Sequence, residues 1–369
     1  MADGLRALRR DVRGFLATAL ANGEFEPQCD SWLSGWDPSF SRRLAEQGWV
    51  GMTIPVRYGG RGGSFLERQV VIEELLAVGA PVAAHWMADR QIGPSILRHG
   101  TEEQRRHYLP EICAGRLFFA IGLSEPDSGS DLASVLTRAV EAGTGWVLNG
   151  TKVWTSGAHG SHAVLVLART ESSGRDRHAG LTQFIVPIDA PGVTVRPIRL
   201  LTGEHHFNEV HFADVYVPAD AVLGTVGAGW AQVMAELGFE RSGPERFLST
   251  MPLLEAAGRV AGVRDHPPLG MALGRLWALR HACSDVAAAL SADREPGLGG
   301  LIVKDLGTVF ESTVIETVRE LLAAVGEDPN RAEAERLLAA STLHSPGFTL
   351  RGGTNEVLRT IIAKALVAK

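Results

Sequence analysis

Cysteine is scarce in this chain, with only Cys29, Cys113 and Cys283 among 369 residues. The number is odd, the spacing is wide and no CxxC pair occurs, which argues against a disulfide framework or a zinc site. A reducing, cytoplasmic setting fits that usage. Long apolar runs are also missing: no stretch approaches the roughly 20 residues of a membrane span. Positive charge is not in excess, since the formal net charge is -6. Arg9, Arg10 and Arg13 are too interspersed to form a polybasic patch, so nucleic acid is excluded as the expected partner. Internal repeats and low-complexity segments are absent. What remains is ordinary globular material, 45% hydrophobic and 21% charged, long enough for two or three packed subdomains. Small molecules and proteins are the expected partners.

The opening MADGLRALRRDVRGFLATAL is amphipathic and rich in arginine, as transit peptides are, but Asp3 and Asp11 count against that reading. It is read as a first helix. Residues 1–118 are expected to be helical, with Leu5, Leu8, Val12, Phe15, Leu16 and Leu20 near helical spacing. The stretch GWVGMTIPVRYGGRGG is a long irregular link. Thr101, followed three residues later by Gln104, predicts a capping box. From residue 119 to 220 the texture changes to short β-branched or alternating runs such as AVLVLART, LTQFIVPI and NEVHFADVYVP. Residues 221–369 return to helix and predict a bundle. The fold class is mainly α with a central β domain.

Three stretches coincide in order and spacing: LSEPDSGSD at 123–131, LNGTKVWTSGA at 148–158 and RGGTNEVLRTIIAKAL at 351–366. GWVGMTIPVRYGG and FNEVHFADVYVPADAVLG agree with them. Over nearly its whole length the chain closely resembles the acyl-CoA dehydrogenase family. The resemblance implies an N-terminal helical domain, a middle β-barrel and a C-terminal helical bundle. It also implies FAD as cofactor, an acyl-CoA or acyl-carrier thioester as substrate, and electron-transfer flavoprotein as electron acceptor. In that chemistry a base removes the α-proton while the flavin takes a hydride, so the protein must orient the acyl group and supply one carboxylate.

Site residues follow from the matched motifs. Leu123, Ser124, Gly129 and Ser130 lie in a small-residue loop suited to close approach by a planar ligand. The resemblance lays this loop along the flavin and brings Ser130 to substrate; as plain sequence it could equally be a Ser/Asp/Gly turn. Trp154 could wall a flavin, and the hydroxyls of Thr155 and Ser156 could bond it, although a lone tryptophan in a β domain is more often core. Serine stands at 156 where the family usually has threonine. Thr354, Asn355 and Glu356 begin the last helix, whose free N–H groups could face a cofactor phosphate.

Many members of the family carry the catalytic glutamate just before the Gly-Thr that corresponds to Gly353-Thr354, and here that position is Gly352. A minority, including enzymes resembling isovaleryl- and long-chain acyl-CoA dehydrogenases, carry it on an earlier helix ahead of an arginine. The matching pair is Glu240-Arg241. Val233, Leu237, Glu240, Phe247 and Met251 are spaced to share one helical face, and a carboxylate in an apolar stripe acquires the raised pKa a general base needs. Glu245, about 140° around an ideal helix, reads as structural. Gly243-Pro244 is expected to bend or interrupt the helix. Arg241 is either a substrate contact or a partner for Glu240 or Glu245. Gly352 and Gly353 would then leave room for the thioester.

Two FAD-serving motifs of the family are not recognisable: VRDHPPLG and LLAAVGEDPNR stand in their places. That leaves open a homo-oligomer, dimer or tetramer, or a heteromer with a second acyl-CoA dehydrogenase-like chain. A non-catalytic partner subunit and a flavin oxidase or monooxygenase on the same scaffold are the rival readings. His205 and His206 precede a strand, where neighbours point to opposite faces, so they are read as surface or turn residues and no metal site is expected.

Overall fold

The computed structural model describes residues 2–171, 176–294 and 296–367; the side chains of Ala2, Phe239 and Glu240 are not described. Helices come first: α1 (Ala2–Ala21), α2 (Ser31–Ser34), α3 (Pro38–Glu46), α4 (Phe65–Ala77), α5 (Ala83–Met87), α6 (Gly93–His99) and α7 (Glu102–Cys113). Strands follow: β1 (Phe119–Gly122), β2 (Arg138–Ala142), β3 (Gly145–Lys152), β4 (Ala163–Arg169), β5 (Leu181–Pro187), β6 (Val193–Ile198), β7 (Phe207–Pro218) and β8 (Val222–Leu223). The chain ends in α8 (Gly229–Glu240), α9 (Met251–Ala257), α10 (Pro267–Ser291), α11 (Gly297–Ala324), α12 (Arg331–Phe348) and α13 (Asn355–Val367). The expected α, β, α order is therefore the observed one. Among the described residues no helix is long and apolar enough to cross a membrane.

The chain divides into two compact units, with the boundary inside α8 between Leu237 and Gly238. One unit comprises the chain up to Gly35, Ser64–Pro81 and everything from Gly238 onward. Its centre is α4, buried nearly all round: Val70, Val71, Ile72, Leu75 and Leu76 pack in the core, but Glu73 and Glu74 are buried as well. Buried carboxylates need partners. Arg9 of α1 and Arg280 of α10 each reach Glu73 at 2.8 Å, and Arg13 reaches Glu74 at 2.6 Å. Arg9 and Arg13 of the first helix thus serve internal pairing.

The other unit comprises Trp36–Gly63 and Val82–Leu237 and holds the sheet. Its strand order is β6-β7-β3-β2-β4-β5-β8, with β1 parallel to β4. β4 and β5 are buried along almost their whole length, which is why AVLVLAR reads as a continuous apolar run. β3 and β7 shift register between Leu148 and Gly150. Asn149 and Asp214, the latter at φ 51°, hold that bulge by exchanging hydrogen bonds of 3.0 and 2.9 Å. The Thr101–Gln104 capping box forms as its spacing predicts, with bonds of 3.1 and 3.2 Å. After Pro218 the chain makes a 3-10 turn at Ala219–Ala221 and then β8, pairing with β5, before α8 begins. A two-residue strand has no periodicity to read.

The apolar stripe expected from Val233 to Met251 is not continuous. α8 ends at Glu240, Pro244–Arg246 forms a tight 3-10 turn, and Met251 opens α9. Gly243-Pro244 breaks the helix, so Phe247 and Glu245 are buried at positions off α8.

Candidate active site

The sequence-predicted residues fall into two groups, one in each unit. In the sheet-bearing unit, loop 123–131 is closed by paired backbone bonds between Glu125 and Ser128, at 2.7 and 3.1 Å. Beneath it lies a buried ion pair. Lys152, with no exposed surface, donates to Glu125 Oε1 at 2.7 Å and to the Leu123 carbonyl at 3.0 Å. Glu125 also accepts from the backbone N–H groups of Leu136 and Thr137, at 2.6 and 2.9 Å. Burial would raise the Glu125 carboxyl, but the Lys152 ammonium and these donors hold it below its ordinary value. Burial pushes Lys152 down to about 8 against the pull of Glu125. This pair ties the loop to the strand that leads into Trp154. Sequence reasoning passed over both residues, because an isolated Glu and an isolated Lys carry no spacing signal.

Leu123 and Ser124 are half-buried, whereas Gly129 and Ser130 are exposed. A Cβ added at Gly129 would meet nothing within 4 Å, so no neighbour in the chain dictates glycine there. Trp154 is held at φ 58°, a left-handed conformation rare for a bulky residue, and is 56% exposed with its ring edge-on to Phe207 at 5.8 Å. Thr155 is fully buried; its N–H bonds the Asn208 carbonyl at 3.0 Å and its carbonyl accepts from Asn208 Nδ2 at 2.9 Å. Its Oγ1 is buried with no hydrogen-bond partner. Ser156 is half-buried beside it. Gly157, at φ 67°, lies so close to Trp36 that an added Cβ would stand 2.4 Å from the ring.

Asn208 is the organiser of this segment and was missed as a site residue. Besides Thr155, its Oδ1 meets His205 Nε2 at 2.8 Å and its Nδ2 approaches His159 Nδ1 at 3.2 Å. An asparagine at an inward position of an alternating strand was the available signal. His205 stacks on His159 with ring centroids 4.2 Å apart, and His206 is buried, which corrects its reading as a surface or turn residue. Burial and the neighbouring His205 lower the His159 pKa. Among the described residues no group of three or more His, Cys, Asp or Glu could hold a metal.

α8 carries a second carboxylate that sequence reasoning did not weigh. Glu236, 4% exposed, accepts from Ser95 Oγ at 2.6 Å and from Gln183 Nε2 at 3.1 Å. Glu240 closes the same helix; its side chain lies outside the described residues.

In the other unit, Arg241 Nε donates to the Gly352 carbonyl at 3.0 Å. Gly352 and Gly353 have φ 68° and 91°, where only glycine is unstrained. Thr354 Oγ1 accepts from the Val357 N–H at 3.3 Å and caps α13. The Asn355 side chain is committed to α11: its Oδ1 accepts from Lys304 Nζ at 2.6 Å and Thr308 Oγ1 at 3.1 Å. Glu356 is held below its ordinary pKa by its own backbone N–H and the Thr354 hydroxyl. A carboxylate therefore stands beside the N–H groups of this helix N-terminus.

The donor set of the first group fits a flavin: an exposed indole face, a half-buried hydroxyl at 156, an unpartnered buried hydroxyl at 155 and a glycine open on its Cβ side. The comparisons with known proteins place helices, central sheet and helices with these loops among oxidoreductases acting on CH–CH groups. The chain belongs to the acyl-CoA dehydrogenase family. Residues 3–116 match the acyl-CoA dehydrogenase N-terminal domain and residues 120–215 the middle domain. It is 37% identical to acyl-CoA dehydrogenase IpdE1 of Mycobacterium tuberculosis (strain ATCC 25618 / H37Rv), over 97% of this chain and 96% of that protein. Among solved structures, the Tcur3481-Tcur3483 steroid ACAD superposes with a TM-score of 0.85 at 28% identity, covering 100% of this chain and 98% of that one. The ChsE4-ChsE5 complex from Mycobacterium tuberculosis gives 0.79 at 28% identity, covering 99% and 97%. Members of this family bind FAD.

Proposed function

We propose that this chain dehydrogenates an acyl thioester, carried on CoA or on a carrier protein, across its α,β carbons with FAD as cofactor. FAD, when bound, supplies the acceptor for the β-hydride. Glu240 accepts the α-proton. Leu123, Ser124, Gly129, Ser130, Trp154, Thr155 and Ser156 bind the flavin, with Ser130 also reaching substrate. Arg241, Gly352 and Gly353 bind the thioester, and Thr354, Asn355 and Glu356 serve the cofactor through the backbone of the α13 N-terminus. The observation that carries this reading is Trp154: a bulky residue kept in a left-handed conformation and exposed, beside a buried hydroxyl that has no partner.

The test is an anaerobic titration of the purified chain with straight, branched and steroid-derived thioesters, read as loss of the flavin absorbance. The steroid enzyme among the relatives is the reason to include ring-bearing acyl groups. Bleaching by at least one member is expected. A preparation that holds no flavin, or a flavin untouched by the whole panel, removes the proposal.

Thr155→Val separates a cofactor-facing hydroxyl from a stray core one. Valine keeps the shape and deletes an unpaired oxygen, so stability without FAD should hold or rise by about 1 kcal/mol. FAD affinity should fall roughly three- to tenfold, the worth of about one hydrogen bond. Equilibrium dialysis showing unchanged affinity would make Thr155 a packing residue only.

We infer electron-transfer flavoprotein as the acceptor of the electrons, and oligomeric assembly of the chain. Ile302, Leu306 and Val309 form an exposed apolar stripe on α11, and Met271 and Trp277 are exposed on α10, which favours a covering subunit. That subunit is a second copy or, as in the relative solved as a ChsE4-ChsE5 complex, a different chain. Light scattering on the chain purified alone decides between them: a stable dimer or tetramer supports the first, a monomer without flavin the second. The free, buried thiols support a cytoplasmic location.

A further inference from the structure

The two-glycine turn has no side chains with which to fix itself, so its position depends on what holds its ends. One end is Arg351, whose side chain is 11% exposed. Its guanidinium donates through Nη1 to Asp30 and through Nη2 to Ser249 Oγ at 2.9 Å, and Nη2 stands 3.5 Å from Glu311 Oε2. It lies over the rings of Trp32 and Phe348, at 4.6 and 4.8 Å. These groups are themselves locked together. The Asp30 N–H donates to the Ser249 carbonyl at 2.9 Å, the Ser249 N–H to Glu311 Oε1 at 2.8 Å, and Trp32 Nε1 to Ser249 Oγ at 3.2 Å. Asp30 sits at φ 57°, a strained conformation that this network must hold in place.

Packing alone would be served as well by an apolar residue at 351, since buried ion networks rarely add stability over well-packed hydrophobes. What an arginine adds is a fixed direction: a planar fork with several donors defines where its own backbone stands. The backbone so defined is the one that enters Gly352, whose carbonyl accepts from Arg241 Nε. We propose that Arg351 is a positioning residue: anchored on Asp30 and Ser249, it sets the place of the Gly352–Gly353 backbone for thioester binding. This rests on the proposed function only in naming the thioester as what the turn receives.

Arg351→Met and Arg351→Lys are compared with wild type by hydrogen exchange and steady-state kinetics. The N–H groups of Arg351 and Asn355 bond the carbonyls of Gly347 and Thr349, at 3.2 and 3.1 Å. In Arg351→Met their exchange should quicken by roughly tenfold or more while peptides from α4 exchange as in wild type. KM for the thioester should rise by roughly tenfold, with kcat changed by less than about threefold and FAD content kept. Arg359→Met, which breaks a pair between the exposed Arg359 of α13 and Asp305 of α11, should alter neither readout. A folded Arg351→Met with wild-type exchange and KM overturns the proposal, as does a loss of kcat alone. Should methionine prevent folding, Arg351→Lys keeps the cation and loses the fork; the same shifts are expected at smaller size, and wild-type values in both readouts overturn the idea. If no thioester bleaches the wild-type flavin, the functional reading fails while exchange at 351 and 355 still decides whether the arginine anchors the turn.

Discussion

Glu240→Gln is expected to bind FAD as tightly as wild type and to lose flavin bleaching by thioester, with the rate falling roughly 10²- to 10⁴-fold, the usual contribution of a positioned general base. Glutamine has nearly the same shape and cannot accept the α-proton, so the loss should appear in the first-order rate of the reductive half-reaction. Thioester affinity, measured by spectral perturbation before bleaching, should change little, because the deleted function acts in the transition state. Stopped-flow absorbance under anaerobic conditions reads both. A rate within about threefold of wild type would place the base elsewhere. Glu236 is the carboxylate to examine next, one turn earlier on the same helix, although Ser95 and Gln183 already donate to it. Retained activity in Glu240→Gln together with loss in Glu236→Gln would move the assignment along α8.

The uneven legibility of this chain has a physical pattern. What local spacing determines was readable: the α, β, α order, the apolar β4 and β5, the Thr101–Gln104 cap, and the helix break at Gly243-Pro244. The consequence of that break for the stripe from Val233 to Met251 was not carried through, and a continuous face was expected where the chain turns at Pro244–Arg246. What depends on partners far away in the chain was not readable. Asn208 organises the segment around Thr155 from 53 residues away, and Arg351 meets Asp30 across 321 residues. No periodicity carries such information, since each residue in isolation looks like any polar residue in a strand or loop. The motif residues themselves were found by likeness. The structure adds reasons for some of them, such as the φ of Gly352 and Gly353, and gives Asn355 a packing role that likeness did not suggest.

The same reasoning bears on Lys152, for which the expected change in stability exceeds that at any other position considered. Lys152→Met should destabilise the protein by roughly 3–5 kcal/mol at pH 7, because it leaves Glu125 buried without its cation. In wild type, Glu125 is held below its ordinary pKa, so its contribution is present above the unfolded value near 4.5 and is lost as pH falls through the lower folded value. Lys152, at about 8 when folded against an ordinary value of 10.5, binds its proton less tightly in the folded chain, so between those values its own titration favours folding as pH rises. Methionine removes that alkaline effect and reverses the sign at the acid end. Glu125 then keeps only the N–H donors of Leu136 and Thr137 against its burial, its pKa rises above the unfolded value, and the variant's deficit should shrink as pH falls toward 4–5 and the carboxyl takes up a proton. Urea denaturation at pH 7 and pH 5 measures the difference. The double variant Lys152→Met/Glu125→Gln should recover a large part of the loss at pH 7, since no buried charge is left unpaired. Loop 123–131 would still lack its tie to the Trp154 strand, so both variants should release FAD more readily than wild type. A deficit in Lys152→Met that is independent of pH would mean that lost packing, and not the stranded carboxylate, causes it.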